Sequence, residues 1–151
     1  MVVANGSLPR VDEHSVMIGA APQVVWDALL CVVERSFSSL RPMSRVLGCR
    51  DAETVGPRPL AVGSAFPGFH VAAADAPHKL ELAGRHRFSR YALTFRLDDV
   101  GNGRVRLRAE SLAEFPGVLG RVYQAMVIGT GGHVLGVKRL LATVKRRAER
   151  L

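Results

Sequence analysis

The sequence is short of the residues that hold small exported folds together. Its two cysteines, Cys31 and Cys49, have no Cys-x-x-Cys or Cys/His ligand spacing in a chain of 151 residues. That excludes a disulfide scaffold and a structural zinc site, and points to free thiols in the cytosol. Long apolar runs are missing as well. The least polar stretch, residues 125–137, is interrupted by Thr130, His133 and four glycines, and falls below the ~20 residues needed to cross a bilayer. The N-terminus has no basic segment followed by an apolar one, so no signal peptide is expected. Aromatic residues are only 6% of the chain and no RNP-like Gly-Phe-aromatic signature is present, which argues against a single-stranded nucleic-acid binder. Acidic residues are outnumbered 13 to 21 by basic ones, 18 of them arginine. The resulting charge of +8 permits an anionic partner, but it is spread along the chain and clusters only near the C-terminus.

What is present is a chain with 48% hydrophobic residues, enough to bury roughly 70% of its unfolded surface in one domain. Residues 1–11, with Gly6 and Pro9, read as a flexible lead, and residues 12–151 as a single domain. Residues 14–18 alternate as a short strand. Pro22 marks a helix start, because its missing N–H would be unpaired there anyway, and an apolar stripe through Val25, Leu29 and Val32 carries that helix to about Arg35. A second short helix is expected over residues 37–46, interrupted by Pro42. Strand candidates follow at residues 49–54, 60–66, 69–74 and 79–84, cut by Pro-Gly and Ala-Pro steps.

Two later strands alternate more strongly. Tyr91, Leu93, Phe95 and Leu97 share one face; after a turn over residues 98–103, Val105, Leu107 and Ala109 share another. The alternation predicts that Val105, Leu107 and Ala109 face a helix while Arg104, Arg106 and Arg108 face water. Tight turns between consecutive strands predict an antiparallel sheet with one wetted side. From about Val118 to Arg150 the spacing predicts one long amphipathic helix of about 50 Å, with cations at its negative pole.

This order resembles the helix-grip superfamily known as SRPBCC, which includes START-type domains and polyketide cyclase or dehydrase-like proteins. The resemblance lies in Val16-Met17-Ile18-Gly19-Ala20-Ala21-Pro22-Gln23-Val24-Val25-Trp26, in the paired long strands ending at Glu114-Phe115-Pro116-Gly117, and in the terminal helix. It implies an α+β helix-grip fold: a curved antiparallel sheet wrapped around a long C-terminal helix, with two short helices after the first strand and an apolar cavity between sheet and helix. It also implies a hydrophobic small molecule (lipid, polyketide or aromatic compound) as partner, and no shared catalytic residues or cofactor.

Gly129, Gly131, Gly132 and Gly136 fall inside the expected terminal helix, each costing about 1 kcal/mol relative to Ala. Close packing, a kink, or room for a ligand would each account for them. Tyr91, Phe95, Leu107, Tyr123, Met126, Gly132 and His133 are the candidate lining residues; core packing explains the apolar ones equally well. His133 is also the candidate base if the protein is a cyclase or dehydratase. A binder or carrier, that enzyme, and an interaction module using the basic terminal helix are the three functions left open. No histidine spacing fits a metal, and neither a cofactor nor a nucleic-acid partner is expected.

Overall fold

Hydrophobic alternation and turn chemistry build a six-stranded antiparallel sheet in the order β1-β6-β5-β4-β3-β2. The computed structural model describes residues 8–38, 41–51, 54–56, 60–127 and 131–150, apart from the side chains at positions 41, 44, 127 and 132. The elements are β1 (Arg10–Ile18), α1 (Pro22–Ser38), α2 (Arg41–Leu47), β2 (Ala65–Phe66), β3 (Phe69–Asp75), β4 (Lys79–His86), β5 (Ser89–Gly101), β6 (Arg104–Glu114), α3 (Gly117–Val127) and α4 (Gly132–Glu149). The expected flexible lead reaches residue 11, but Arg10 and Val11 already belong to β1, and residues 1–7 lie outside the described residues. Of the candidate strand at residues 49–54, the described positions 49–51 and 54 are not in a strand, and of residues 60–66 only Ala65 and Phe66 pair. Their Gly-Pro-rich surroundings provide too little alternation to sustain a ladder.

The hairpin β5–β6 is tighter than expected. Pairing continues to Gly101 and resumes at Arg104, leaving Asn102 (φ 57°) and Gly103 (φ 69°) as the turn. Two central residues with positive φ match the right-handed twist of the flanking strands. Val105, Leu107 and Ala109 are fully buried, whereas Arg104 and Arg106 are exposed and Arg108 is half-buried. On that outer face Arg108 donates from Nε to Asp98 at 2.7 Å and from Nη1 to Glu13 at 3.2 Å. Its neighbours there are carboxylates.

The concave face carries the core. Ile18, Val25, Leu29, Leu80, Leu82, Phe95, Leu107 and Val144 are completely buried, and each such side chain contributes about 1.5–3 kcal/mol. α4 lies across β1 and β6 and packs against α1. Its C-terminal end is pinned by polar groups: Lys145 Nζ donates to the Met17 carbonyl at 2.7 Å and to Glu149 at 2.9 Å, and the Gly19 N–H donates to Glu149 at 2.8 Å. The Gly19 N–H and then Lys145 hold the Glu149 carboxyl below the usual carboxylate range.

The single terminal helix expected from Val118 to Arg150 is two helices, α3 and α4. Gly131 sits at φ 76° as the residue preceding α4, in the left-handed region that glycine enters without a Cβ penalty. Gly129 lies outside the described residues. Gly117, at φ 72° after Pro116, likewise turns the chain from β6 into α3.

One glycine is fixed by close approach. Gly84 pairs with Tyr91 across β4–β5, and a Cβ there would lie 2.2 Å from the Gly68 carbonyl oxygen and 2.7 Å from the Tyr91 ring. The ring lies over the missing side chain, and Tyr91 Oη donates to the Gly68 carbonyl. Gly84→Ala is therefore expected to cost about 1–3 kcal/mol by overpacking, read as a lower urea midpoint with an unchanged m-value. An equally stable variant would mean that both the Gly68 carbonyl and the Tyr91 ring are free to move aside.

Candidate functional site

The sheet is wider than α4 can cover, and a cavity of about 490 Å³ remains between its concave face and the helices. The floor is built by alternate residues of paired strands. Leu93 lies opposite Ser111 and Tyr91 opposite Ala113, all four on the cavity wall. Phe37 of α1, Met43 and Leu47 of α2, and Val137 and Leu140 of α4 close the sides.

The few aromatic residues are gathered here. Phe37 stacks on Phe66 at 5.7 Å between centroids and meets Phe69 at 4.7 Å, and Phe69 meets Tyr91 edge-on at 5.1 Å. The series continues from Tyr91 to His86 at 5.5 Å and from His86 to Tyr123 at 4.7 Å, with Phe88 and Phe115 against Tyr123. Seven of the nine aromatic residues thus form one continuous series of ring contacts, of which Phe37, Phe69, Tyr91, Phe115 and Tyr123 line the cavity; Phe66 is buried in the core beside them, as are Trp26 and Phe95. Edge-on and offset contacts of this kind hold ring orientations against rotation.

The cavity has two polar ends. At one, Tyr91 Oη is 3.9 Å from Cys49 Sγ, and the Phe88 N–H donates to His86 Nδ1 at 3.0 Å. Nδ1 thus acts as acceptor, so the neutral ring carries its proton on Nε2. Burial raises the hydroxyl pKa of both Tyr91 and Tyr123 and lowers that of His86, keeping these groups neutral and able to donate hydrogen bonds. At the other end, His133 Nε2 shares a 3.0 Å hydrogen bond with Ser111 Oγ and lies 3.5 Å from Asp12 Oδ1. Asp12 Oδ1 is buried without a hydrogen-bond partner among the described residues, while its Oδ2 meets His14 Nε2 at 3.2 Å. Because one His133 nitrogen faces both Ser111 and Asp12, this is not a serine–histidine–aspartate relay, in which the two partners occupy different ring nitrogens.

The candidate residues are placed as follows. Tyr91, Tyr123 and His133 line the cavity, with Tyr123 on α3 and His133 on α4. Phe95 and Leu107 are fully buried in the close-packed core outside the cavity wall. Met126 is 63% exposed on α3. Gly132 is the first residue of α4, and its surroundings fall outside the described residues. Gly136 does line the cavity, and a Cβ there would meet nothing within 4 Å among the described residues. Sequence reasoning missed Phe37, Phe69, His86 and Cys49. For His86 a signal existed: Leu80, Leu82, Gly84 and His86 keep strand alternation, but the expected strand stopped at Gly84. Among the described residues no group of three or more His, Cys, Asp or Glu could hold a metal ion.

Neither a protein-family model nor a curated protein matches this chain. Several solved structures share its architecture. Protein CV1439 from Chromobacterium violaceum is 10% identical, with 91% of this chain and 96% of that chain covered and a TM-score of 0.57. Norcoclaurine synthase from Thalictrum flavum, as a point mutant in complex with a transition state analogue, is 11% identical over 94% and 97% of the two chains, with a TM-score of 0.56. A conserved protein from Geobacillus kaustophilus is 17% identical over 91% and 94%, with a TM-score of 0.52. At such identities the likeness fixes the fold, and the fold is the helix grip.

His86 supplies a pH test. Its lowered pKa means that the unfolded chain binds the proton more readily, so stability falls as pH drops through the ordinary value of 6.5. Urea unfolding at several pH values between about 8 and 5 should show a larger acid loss for the native protein than for His86→Gln. Parallel curves would contradict the burial argument.

Proposed function

We propose that this helix-grip chain, read as one domain over residues 12–151, binds and carries a hydrophobic small molecule in the cavity under α3 and α4. The observation that carries the reading is the cavity itself: about 490 Å³, walled mainly by Phe37, Phe69, Leu93, Leu140 and their neighbours, with Tyr91, His86 and Tyr123 at one end and His133 and Ser111 at the other. That size falls within the roughly 300–1,000 Å³ of small-molecule sites, where apolar walls give affinity and a few polar groups give orientation. Norcoclaurine synthase, a protein of the same fold, holds a transition state analogue. Flat aromatic or polyketide-like compounds match the ring-lined wall better than a flexible acyl chain, since fixed rings lose little entropy on stacking a rigid partner. The free thiols Cys31 and Cys49 accord with a reducing, cytoplasmic setting. No helix among the described residues is long and apolar enough to cross a membrane.

A second reading, a cyclase or dehydratase-like enzyme, is favoured by one observation. The Asp12 carboxylate 3.5 Å from His133 would stabilise the imidazolium formed if that ring took a proton from an acidic carbon of a bound substrate.

Fluorescence titration with N-phenylnaphthylamine tests the carrier reading. Gly136→Leu fills open cavity space and should weaken uptake by about tenfold while improving intrinsic helicity by up to about 1 kcal/mol. His133→Ala should leave probe affinity within a few-fold. Under the enzyme reading the same variant loses turnover of a polyketide-type substrate by roughly 100-fold or more while still binding it. Undiminished uptake by Gly136→Leu would contradict the carrier site.

A further inference from the structure

The rim of the cavity carries an apolar surface that the packed core does not use. On α3, Val118, Leu119 and Val122 are between 52% and 78% exposed, and on α2, Met43 and Val46 are 60% and 76% exposed. At about 100° per residue, Val118, Val122 and Leu119 fall on one arc of α3, next to the arc of Tyr123, whose ring lines the cavity. Met43 and Leu47 of α2 line it too. Both helices converge on the β4–β5 turn: the Arg87 N–H donates to the Leu47 carbonyl at 3.2 Å, and Gly120 of α3 approaches the Phe88 carbonyl so closely that a Cβ would lie 3.1 Å from it. The exposed apolar side chains and the cavity mouth therefore belong to the same end of the molecule.

Charge selects the partner. α2 and α3 contain no Asp or Glu, and among their described side chains the charged ones are Arg45 and Arg121. A two-fold contact with a second copy would bring those arginines against their own images in a protein of net charge +8. An anionic lipid surface offers the complement to both features. Its headgroups attract arginine, and the boundary beneath them accepts valine, leucine and methionine side chains. An apolar cargo dissolved in a bilayer would also enter the cavity from that side without crossing water.

We infer that α2 and α3 form a docking face for anionic membranes, through which the cavity exchanges an apolar ligand with the bilayer. The docking itself rests on the exposed face, and the exchange rests on the carrier reading above. Cosedimentation of the full chain with phosphatidylcholine vesicles, with and without about a third phosphatidylglycerol, tests it. Binding is expected only to the anionic vesicles and should decline with salt. Val122→Asp and Arg121→Glu should each weaken it about tenfold or more. Val100→Asp, on the far β5–β6 hairpin, should leave it unchanged, and circular dichroism checks that all three fold. Absence of binding to anionic vesicles, or an equal loss with Val100→Asp, would overturn the docking face. A dimer in size-exclusion chromatography that Val122→Asp dissolves would overturn it in favour of a second copy. Naphthylamine uptake from water, measured without vesicles, separates the two claims: uptake without vesicle binding defeats the docking face alone, and vesicle binding without uptake defeats the carrier reading and the proposed exchange.

Discussion

The seat of α4 in the grip of the sheet is the constraint on which the rest depends. The helix is held along only part of its length. Val137, Leu140, Leu141, Val144 and Ala148 are buried against α1 and the strands, and Lys145 and Glu149 fasten the far end to the β1–α1 connection. The first turn presents no comparable set of large apolar residues: His133 meets Ser111 there, and Gly136 leaves open space. A helix that filled the sheet evenly would leave no cavity. One whose apolar side chains are concentrated at its C-terminal end leaves the β5–β6 floor uncovered where α2, α3 and the tip of α1 arrive to wall it in.

The polar groups divide along the same line. On the outer face, carboxylates and guanidiniums pair across β5 and β6, as in Arg108 with Asp98 at 2.7 Å and Arg90 with Glu114 at 3.6 Å. Such exposed pairs add little stability each. Inside, the polar groups are few and tied to specific partners, because an unpartnered polar atom there costs about 1–3 kcal/mol. Among the described residues the Asp12 carboxylate is the exception, with one buried oxygen lacking a hydrogen bond beside His133. It is not itself on the cavity wall but stands 3.5 Å from His133, which is.

Much of the fold was legible because periodicity and turn chemistry act locally. Pro22 and the stripe through Val25 and Leu29 gave α1, and the alternation of residues 91–97 and 105–109 gave the main hairpin and its inward face. The break at Gly131 was not legible: four nearby glycines admit packing, kinking or openness alike, and only the backbone angle at one of them decides. The site was legible in part. Tyr91, Tyr123 and His133 all reach the cavity wall, Tyr91 through the strand alternation, but Tyr123 and His133 from two helices where one was expected, with Met126 turned outward. Phe95 and Leu107 share the inward face but lie under the packed part of the grip, and strand periodicity cannot say how far along a strand the packing stops. Phe37, Phe69 and His86 reach the wall from three separate elements. Their meeting is a product of sheet curvature, which no local pattern encodes.

The central claim, that the incompletely filled grip is a ligand site, is tested most directly by an NMR titration with naphthalene using assigned amide and side-chain signals. The account predicts saturable shifts at Phe37, Phe69, Tyr91, Tyr123, His133 and Gly136, intermolecular NOEs to the aromatic rings, and no shift at Arg104, Arg106 or Arg108 on the outer face. Shifts confined to the outer face, or none at ligand saturation in water, would contradict it.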